Sequence, residues 1–314
     1  MSTVTHLDAR PAGDLAVRPL QPTIGAEISG VDLRYPLTDE VRDQIRATIL
    51  KYKVVFFRDQ ELTREEHEAF ARRFGPLYPH PSGPKAPLND SAGRATSIHR
   101  IAAADFKDYE RARATADADE SWDAYHTDTS WRLVPTWGAV LRAVTLPDIG
   151  GDTIWVDAGL AYNALSDDVK ERLAGRHVTH DFRDALNAVG YDYPIVSHPV
   201  VRVHRETGEK ILWVNFTQHP SILGLDRSES RELLTLVLDQ YRKPEHQVRF
   251  SWRPGSVAFW DNRATVHYAV RNYGDFPRVL ERILIAEEPL YADLRSRPMT
   301  THSNKLHTVT NSAR

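Results

Sequence analysis

Cysteine is absent from all 314 residues. That excludes disulfides, iron–sulfur clusters, thiolate zinc sites and a cysteine nucleophile. An excess of one charge is also missing. The 40 basic and 43 acidic residues leave a formal net charge of -3, so no global field recruits nucleic acid or an acidic membrane. No apolar run approaches the roughly 20 residues that span a bilayer. The segment Met1 to Asp14 is polar and lacks the apolar stretch of a secretory signal. A cytoplasmic globular protein with no nucleic-acid or membrane partner is expected. Any metal must be held by His, Asp or Glu, and the chain has 14 histidines.

Chain order suggests many short strands with a few helices. Thr38 caps a helix running to about Lys51, and Thr63-Arg64-Glu65-Glu66 is a capping box that opens another, which Gly75 ends. Two more helices are expected from Ser166 to about Ala174 and from Ser228 to about Tyr241. Strand-like pieces lie at Val54–Phe57, Ala139–Val144, Thr153–Val156, Val200–Val203, Lys210–Val214, Val248–Trp252, Ser256–Trp260 and Arg282–Ala286. Strands at such intervals suggest a sandwich or jelly roll. Residues 1–16 read as a flexible tail, 17–291 as one domain, and 292–314 as a C-terminal tail. Within the domain, 84–121 reads as a solvated variable segment or a lid, because it leads straight into Tyr125-His126-Thr127-Asp128.

His126-Thr127-Asp128 is the pattern with chemical content. On an extended strand, residues i and i+2 share a face, so His126 and Asp128 can reach one metal. His267, after the apolar strand Val257-Ala258-Phe259-Trp260, can supply the third ligand. Two histidines and one carboxylate bind one face of a divalent iron and leave positions open for substrate and oxygen. The same three ligands would also suit a zinc hydrolase with a metal-bound water, although no Glu or His base is placed by motif. A further possibility is a non-catalytic binding protein on a decayed version of the fold.

Phe259-Trp260-Asp261-Asn262-Arg263-Ala264-Thr265-Val266-His267 resembles the second metal-ligand motif of the taurine dioxygenase family, which includes alkylsulfatase and phenoxyalkanoate dioxygenases. Other segments are similar to the family in the same order. These are Gly25 to Leu33, Arg72-Arg73-Phe74-Gly75, Gly150-Gly151-Asp152-Thr153, His198 to Arg202, and Glu206-Thr207-Gly208. The likeness runs from about residue 17 to 290. It implies a mainly β fold with flanking helices around a double-stranded β-helix (jelly roll, cupin-like) core. It also implies an Fe(II)/2-oxoglutarate-dependent dioxygenase that uses O2 and releases succinate and CO2, with possible C–S or C–O cleavage of the product.

By that resemblance His126, Asp128 and His267 hold the metal, while Arg278 and Thr153 take the far carboxylate of 2-oxoglutarate. Arginine suits this role because its flat fork matches a carboxylate. Arg282 would share a face with Arg278 on a strand. The resemblance gives Arg282 and His80 a small anionic organic substrate: a sulfonate, sulfate ester or carboxylate. Trp122, Tyr125 and Trp213 are further candidates for the substrate pocket. Tyr125 and Trp122 depart from the taurine enzyme, as does the longer 84–121 segment. These departures point to a larger aromatic or aliphatic anion, while a biosynthetic hydroxylase or desaturase of an amino-acid-like carboxylate is the alternative. Relatives imply a homo-oligomer, dimer or tetramer. His177-x-x-His180 could pair on a helix face but reads better as a surface feature.

Overall fold

Alternation along one strand decides the architecture. Val54, Val55, Phe56 and Phe57 are all fully buried. Successive side chains of a strand point to opposite faces, so this strand is covered on both sides. Val54 and Phe56 join one apolar cluster with Trp155 and Trp260, and Val55 and Phe57 join another with Ile45, Ile49 and Phe70.

The computed structural model describes residues 15–80, 96–102, 122–187, 190, 192–287, 299–302 and 305–309. In chain order the strands are β1 (Ala16–Pro19), β2 (Ala26–Ser29), β3 (Val54–Phe57), β4 (Leu77–Tyr78), β5 (His99–Ala102), β6 (Gly138–Thr145), β7 (Thr153–Asp157), β8 (His177–His180) and β9 (Ile195–Pro199). There follow β10 (Val201–Val203), β11 (Lys210–Leu212), β12 (Gln247–Phe250), β13 (Val257–Asp261), β14 (Thr265–Ala269), β15 (Val279–Ile285), β16 (Met299–His302) and β17 (Lys305–Val309). The eight-stranded sheet runs β1-β2-β3-β13-β6-β15-β4, with β5 also paired to β15. A three-stranded sheet runs β12-β7-β14. The interior between these two sheets holds Phe56, Ala139, Leu141, Trp155, Phe250, Trp260, Leu280 and Leu284. This is the jelly-roll core.

The outer face of the large sheet is covered by α1 (Asp39–Tyr52) and α2 (Arg64–Arg72). Both begin as the sequence predicts: the Thr38 side chain accepts from the Val41 N–H, and Thr63 and Glu66 form a complete capping box. The outer face of the small sheet meets the helix Arg227–Arg242 through Val156, Val266, Leu234 and Tyr241. Among the described residues no helix is long and apolar enough to cross a membrane.

Three expectations change. His177 and His180 lie on β8, paired with β9, and both are buried. At i and i+3 on a strand they face opposite sides, so neither the helical pair nor the surface reading holds. Of the 84–121 segment, His99–Ala102 is an edge strand paired with β15, while 84–95 and 103–121 lie outside the described residues. In the C-terminal stretch read as a tail, β16 pairs antiparallel with β9 and with β17. The 1–16 tail lies almost wholly outside the described residues.

Candidate metal centre

His126 is tied to β14 by a two-way backbone exchange. Its N–H donates to the His267 carbonyl at 2.9 Å, and the His267 N–H donates to the His126 carbonyl at 2.7 Å. That antiparallel bridge sets the two rings side by side, centroids 4.1 Å apart. His267 alternates with Val266 and Tyr268 along β14. Val266 turns outward to the helix-covered cluster, while His267 turns inward to contact Trp155 and Trp260. Asp128 follows His126 by two residues, and the nearest ligand atoms of His126, Asp128 and His267 all lie within 4.8 Å of one another.

The donor atoms suit a divalent metal. The His126 Nδ1–H donates to the Ala124 carbonyl at 2.9 Å, which leaves Nε2 with its lone pair; such a bond selects the ligating tautomer. Burial pushes the pKa of His126 down and that of His267 well down, so both imidazoles are neutral and able to ligate. Asp128 Oδ2 and His267 Nδ1 are buried and have no hydrogen-bond partner among the described residues. The other Asp128 oxygen accepts from Arg282 Nη1.

Asn262 fixes the ligand loop. Its Oδ1 accepts from the Asp128 N–H at 2.9 Å and the Thr127 hydroxyl at 3.0 Å. Its Nδ2 donates to the carbonyls of Asp128 and Thr136 at 2.8 and 3.0 Å. His198 Nε2 contributes a second brace, 2.9 Å from the carbonyls of both Ser130 and Arg132. Asp261, beside Asn262, receives Arg263 through Nε and Nη2 at 2.8 and 2.6 Å and His204 at 3.0 Å. Against the opposing effect of burial, Arg263 and His204 hold the Asp261 carboxyl well below the usual range. Asn262 and His198 both lie within family-like segments of the sequence, but the sequence assigns neither a role; the bracing appears only in the structure.

Arg278 precedes β15, beyond a register irregularity between Val279 and Leu280. It is buried, and its Nε donates to the Gly151 carbonyl at 2.9 Å. Its Nη2 lies 3.5 Å from the Thr153 hydroxyl, which also receives the Trp252 indole N–H at 3.0 Å. Burial lowers its pKa. Among the described residues no carboxylate pairs with Arg278, since Asp152 is taken by Arg249 at 2.7 Å. A buried guanidinium without a carboxylate is costly, and an anionic ligand would relieve it.

Arg282 lies on the inward face of β15 with Leu280 and Leu284. Besides Asp128 it contacts His99 Nδ1 through Nη2 at 3.1 Å, and its buried Nε has no partner among the described residues. His80 stacks on His99, centroids 5.0 Å apart and 17° between planes, with Trp131 and Phe182 edge-on to it. Burial and then the Arg282 charge lower the pKa of His99 to about 3, and burial lowers that of His80. His99 is a residue that sequence reasoning missed. It lies in a motif-poor stretch, and only the pairing of β5 with β15 brings it to Arg282.

The three aromatic candidates lie elsewhere. Tyr125 alternates with His126, so its ring points away from the cluster, to Tyr241 and Tyr268, and its hydroxyl accepts from Gln247 at 3.0 Å. Trp122 packs on Phe216 under the Arg231 guanidinium in the same outer cluster. Trp213 lies against His198 and under Arg202, and its link to the metal loop runs through that histidine.

Comparison with known proteins identifies the family. The family described as "Taurine catabolism dioxygenase TauD, TfdA family" matches residues 16–284. An alkylsulfatase of Acinetobacter baylyi is 33% identical over 91% of this chain and 89% of its own length. An (S)-phenoxypropionate/alpha-ketoglutarate-dioxygenase of Sphingobium herbicidovorans is 31% identical over 89% of this chain and 96% of its own. The crystal structure of a taurine dioxygenase from Burkholderia xenovorans superimposes with a TM-score of 0.77 at 35% identity, covering 94% of this chain and 97% of that one. The chain belongs to the TauD, TfdA dioxygenase family.

Proposed function

We propose that this enzyme hydroxylates a small organic anion, and that a sulfate ester or sulfonate is its substrate class. The supporting observation is the coexistence of two buried arginines: Arg282 on β15, bonded to Asp128 of the His126–Asp128–His267 cluster, and Arg278 just before that strand, without a carboxylate partner among the described residues. Enzymes of this family use iron, 2-oxoglutarate and O2. Bound together, iron and 2-oxoglutarate supply the O2 activation that puts one oxygen atom on the substrate and leaves succinate and CO2.

The chain's own residues do the positioning. His126, Asp128 and His267 would hold the metal, with the Ala124 carbonyl orienting His126. Arg278, steadied by the Gly151 carbonyl, would take the far carboxylate of 2-oxoglutarate together with Thr153. Arg282 and His80 would hold the substrate anion, and the indoles of Trp155 and Trp260 keep water from the inner side of His267. Hydroxylation of a carbon bearing a sulfate or sulfonate gives a product that collapses to a carbonyl compound and releases the inorganic anion. The same reading treats residues 17–291 as one catalytic unit, acting in the cytoplasm as a homo-oligomer.

The zinc-hydrolase reading leaves Arg278, buried and with no carboxylate partner among the described residues, without a role. The test is succinate formation by the Fe(II)-loaded protein with 2-oxoglutarate and ascorbate, across alkylsulfates, alkylsulfonates, taurine, phenoxyalkanoates and amino acids. O2-dependent succinate stimulated by a sulfate or sulfonate is expected. Turnover in His126→Ala at the wild-type rate would sink the ligand assignment, and stimulation by carboxylates alone would move the substrate class to the biosynthetic alternative.

A further inference from the structure

Among the described residues, four that are not glycine have a positive φ: Lys53, Asp59, Thr129 and His219. Thr129, at +53°, is the one of these with a branched β-carbon. Such a side chain crowds the backbone at this angle, which glycine, asparagine or aspartate adopts more readily. Thr129 is buried and directly follows Asp128, the carboxylate of the cluster. The strained angle therefore falls where the chain leaves that carboxylate. The Thr129 hydroxyl holds it there. Its Oγ1 accepts from the Thr136 N–H at 2.9 Å and lies 3.0 Å from the Thr136 hydroxyl. The Thr129 carbonyl accepts from the Arg132 N–H at 2.9 Å.

Thr136 is anchored in turn. Its carbonyl accepts from Asn262 Nδ2, the same nitrogen that donates to the Asp128 carbonyl, and Asn262 Oδ1 accepts from the Asp128 N–H. Asn262 thus fixes the peptide groups on both sides of Asp128, and Thr136 fixes the residue after it. Glycine would reach the same angle without strain, but it would drop both hydroxyl contacts and free the turn. Strain that the surroundings over-determine tends to lie at functional sites, and here it adjoins a carboxylate whose Oδ2 is buried with no partner among the described residues. We propose that Thr129 is a positioning residue: its hydroxyl, clamped by Thr136, holds the turn so that the Asp128 carboxylate stays gathered with His126 and His267. The assignment rests on the metal-ligand role given to those three residues above.

Three substitutions separate positioning from stability. Thr129→Gly removes the hydroxyl and the strain together. Thr129→Ser keeps the hydroxyl. Ile45→Val, in the helix-covered cluster on the outer face of the large sheet, lowers stability away from the site. Chelator-treated full-length protein is titrated with Mn(II) by calorimetry, and the melting temperature of each metal-free protein is recorded. Losing an outer contact that orients a ligand predicts that Thr129→Gly weakens Mn(II) binding about tenfold or more. Relief of the backbone angle offsets the lost contacts, so its metal-free Tm should stay within about 3 °C of wild type. Thr129→Ser should bind Mn(II) within about threefold of wild type, which is the rescue expected of the hydroxyl. Ile45→Val should melt lower and keep its Mn(II) affinity within about twofold.

A Thr129→Gly protein that melts lower yet binds Mn(II) as wild type does would make Thr129 a residue of the fold alone. Equal weakening in Thr129→Ser and Thr129→Gly would overturn the hydroxyl clamp. Weakening in Ile45→Val as large as in Thr129→Gly would tie affinity to overall stability and overturn the positioning role. If wild type fails to bind Mn(II), or His126→Ala binds it equally well, the metal-ligand reading fails and this assignment with it. If wild type binds through His126 and Thr129→Gly binds as tightly, only the assignment fails.

Discussion

Asn262 is not among the proposed ligands, yet all four of its side-chain hydrogen-bonding positions are used on the chain around the proposed ligand Asp128. It is fully buried. Truncation leaves several groups unpaired at once: the Asp128 N–H, the Asp128 and Thr136 carbonyls, and one contact of the Thr127 hydroxyl. A buried group left unpaired costs about 1–3 kcal/mol. Asn262→Ala is therefore expected to destabilise the protein by roughly 2–4 kcal/mol in a denaturant titration. Loss of such outer contacts typically weakens metal affinity about 10- to 100-fold, which competition with a chelator would measure. A variant with lowered stability and unchanged metal affinity would show that Asn262 serves the fold and not the ligand. By contrast, the Thr127 side chain keeps its bond to the Asn262 carbonyl at 2.8 Å, so Asn262→Ala does not release the loop entirely.

At the scale of elements, the turn before β7 is shaped around Arg278. Gly151 has φ of +74°, and a Cβ there would meet the Arg278 Cδ and Nε at 3.0 Å. Glycine is needed for the backbone angle and for the passage of the arginine side chain. Gly151→Ala should displace Arg278 and raise the KM for 2-oxoglutarate about tenfold, while metal affinity stays within about threefold. An unchanged KM would remove Arg278 from the cosubstrate site. This part of the site was legible in the sequence because its residues are chemically specific and close together along the chain. His126 and Asp128 are two residues apart, although Asp128 lies in a turn after the His126 bridge and not on the strand the spacing suggests; Gly151 lies just before Thr153, the first residue of β7; and both capping residues, Thr38 and Thr63, act locally. What was illegible depends on register between distant strands. His99 reaches Arg282 only because β5 pairs with β15. Tyr125 was misplaced because a residue next to a ligand in sequence points to the opposite face. His177 and His180 suited a helix by spacing, but Val178 and Thr179 between them favour a strand, and β9 supplies its partner.

At the scale of the whole molecule, the proposed ligands come from separately supported parts of the jelly roll. His267 belongs to the small sheet, and Asp128 is held by Asn262, which follows β13 of the large sheet. A bound metal therefore ties the ligand loop to both sheets and binds only the folded chain, since the unfolded chain does not assemble the three ligands. Anything that binds only the native state stabilises it, by roughly 2.7 kcal/mol at about 100 times its Kd. With an unfolding entropy of about 2.1 cal/mol/K per residue, a chain of 314 residues should gain about 4 °C in Tm. The measurement is differential scanning calorimetry of chelator-treated protein with and without Mn(II) or anaerobic Fe(II). His126→Ala should lose this gain. His180→Asn changes a buried histidine outside the cluster, so it should melt lower than wild type yet keep the metal-induced shift. Equal shifts in wild type and His126→Ala would place the stabilising metal somewhere other than the His126–Asp128–His267 cluster.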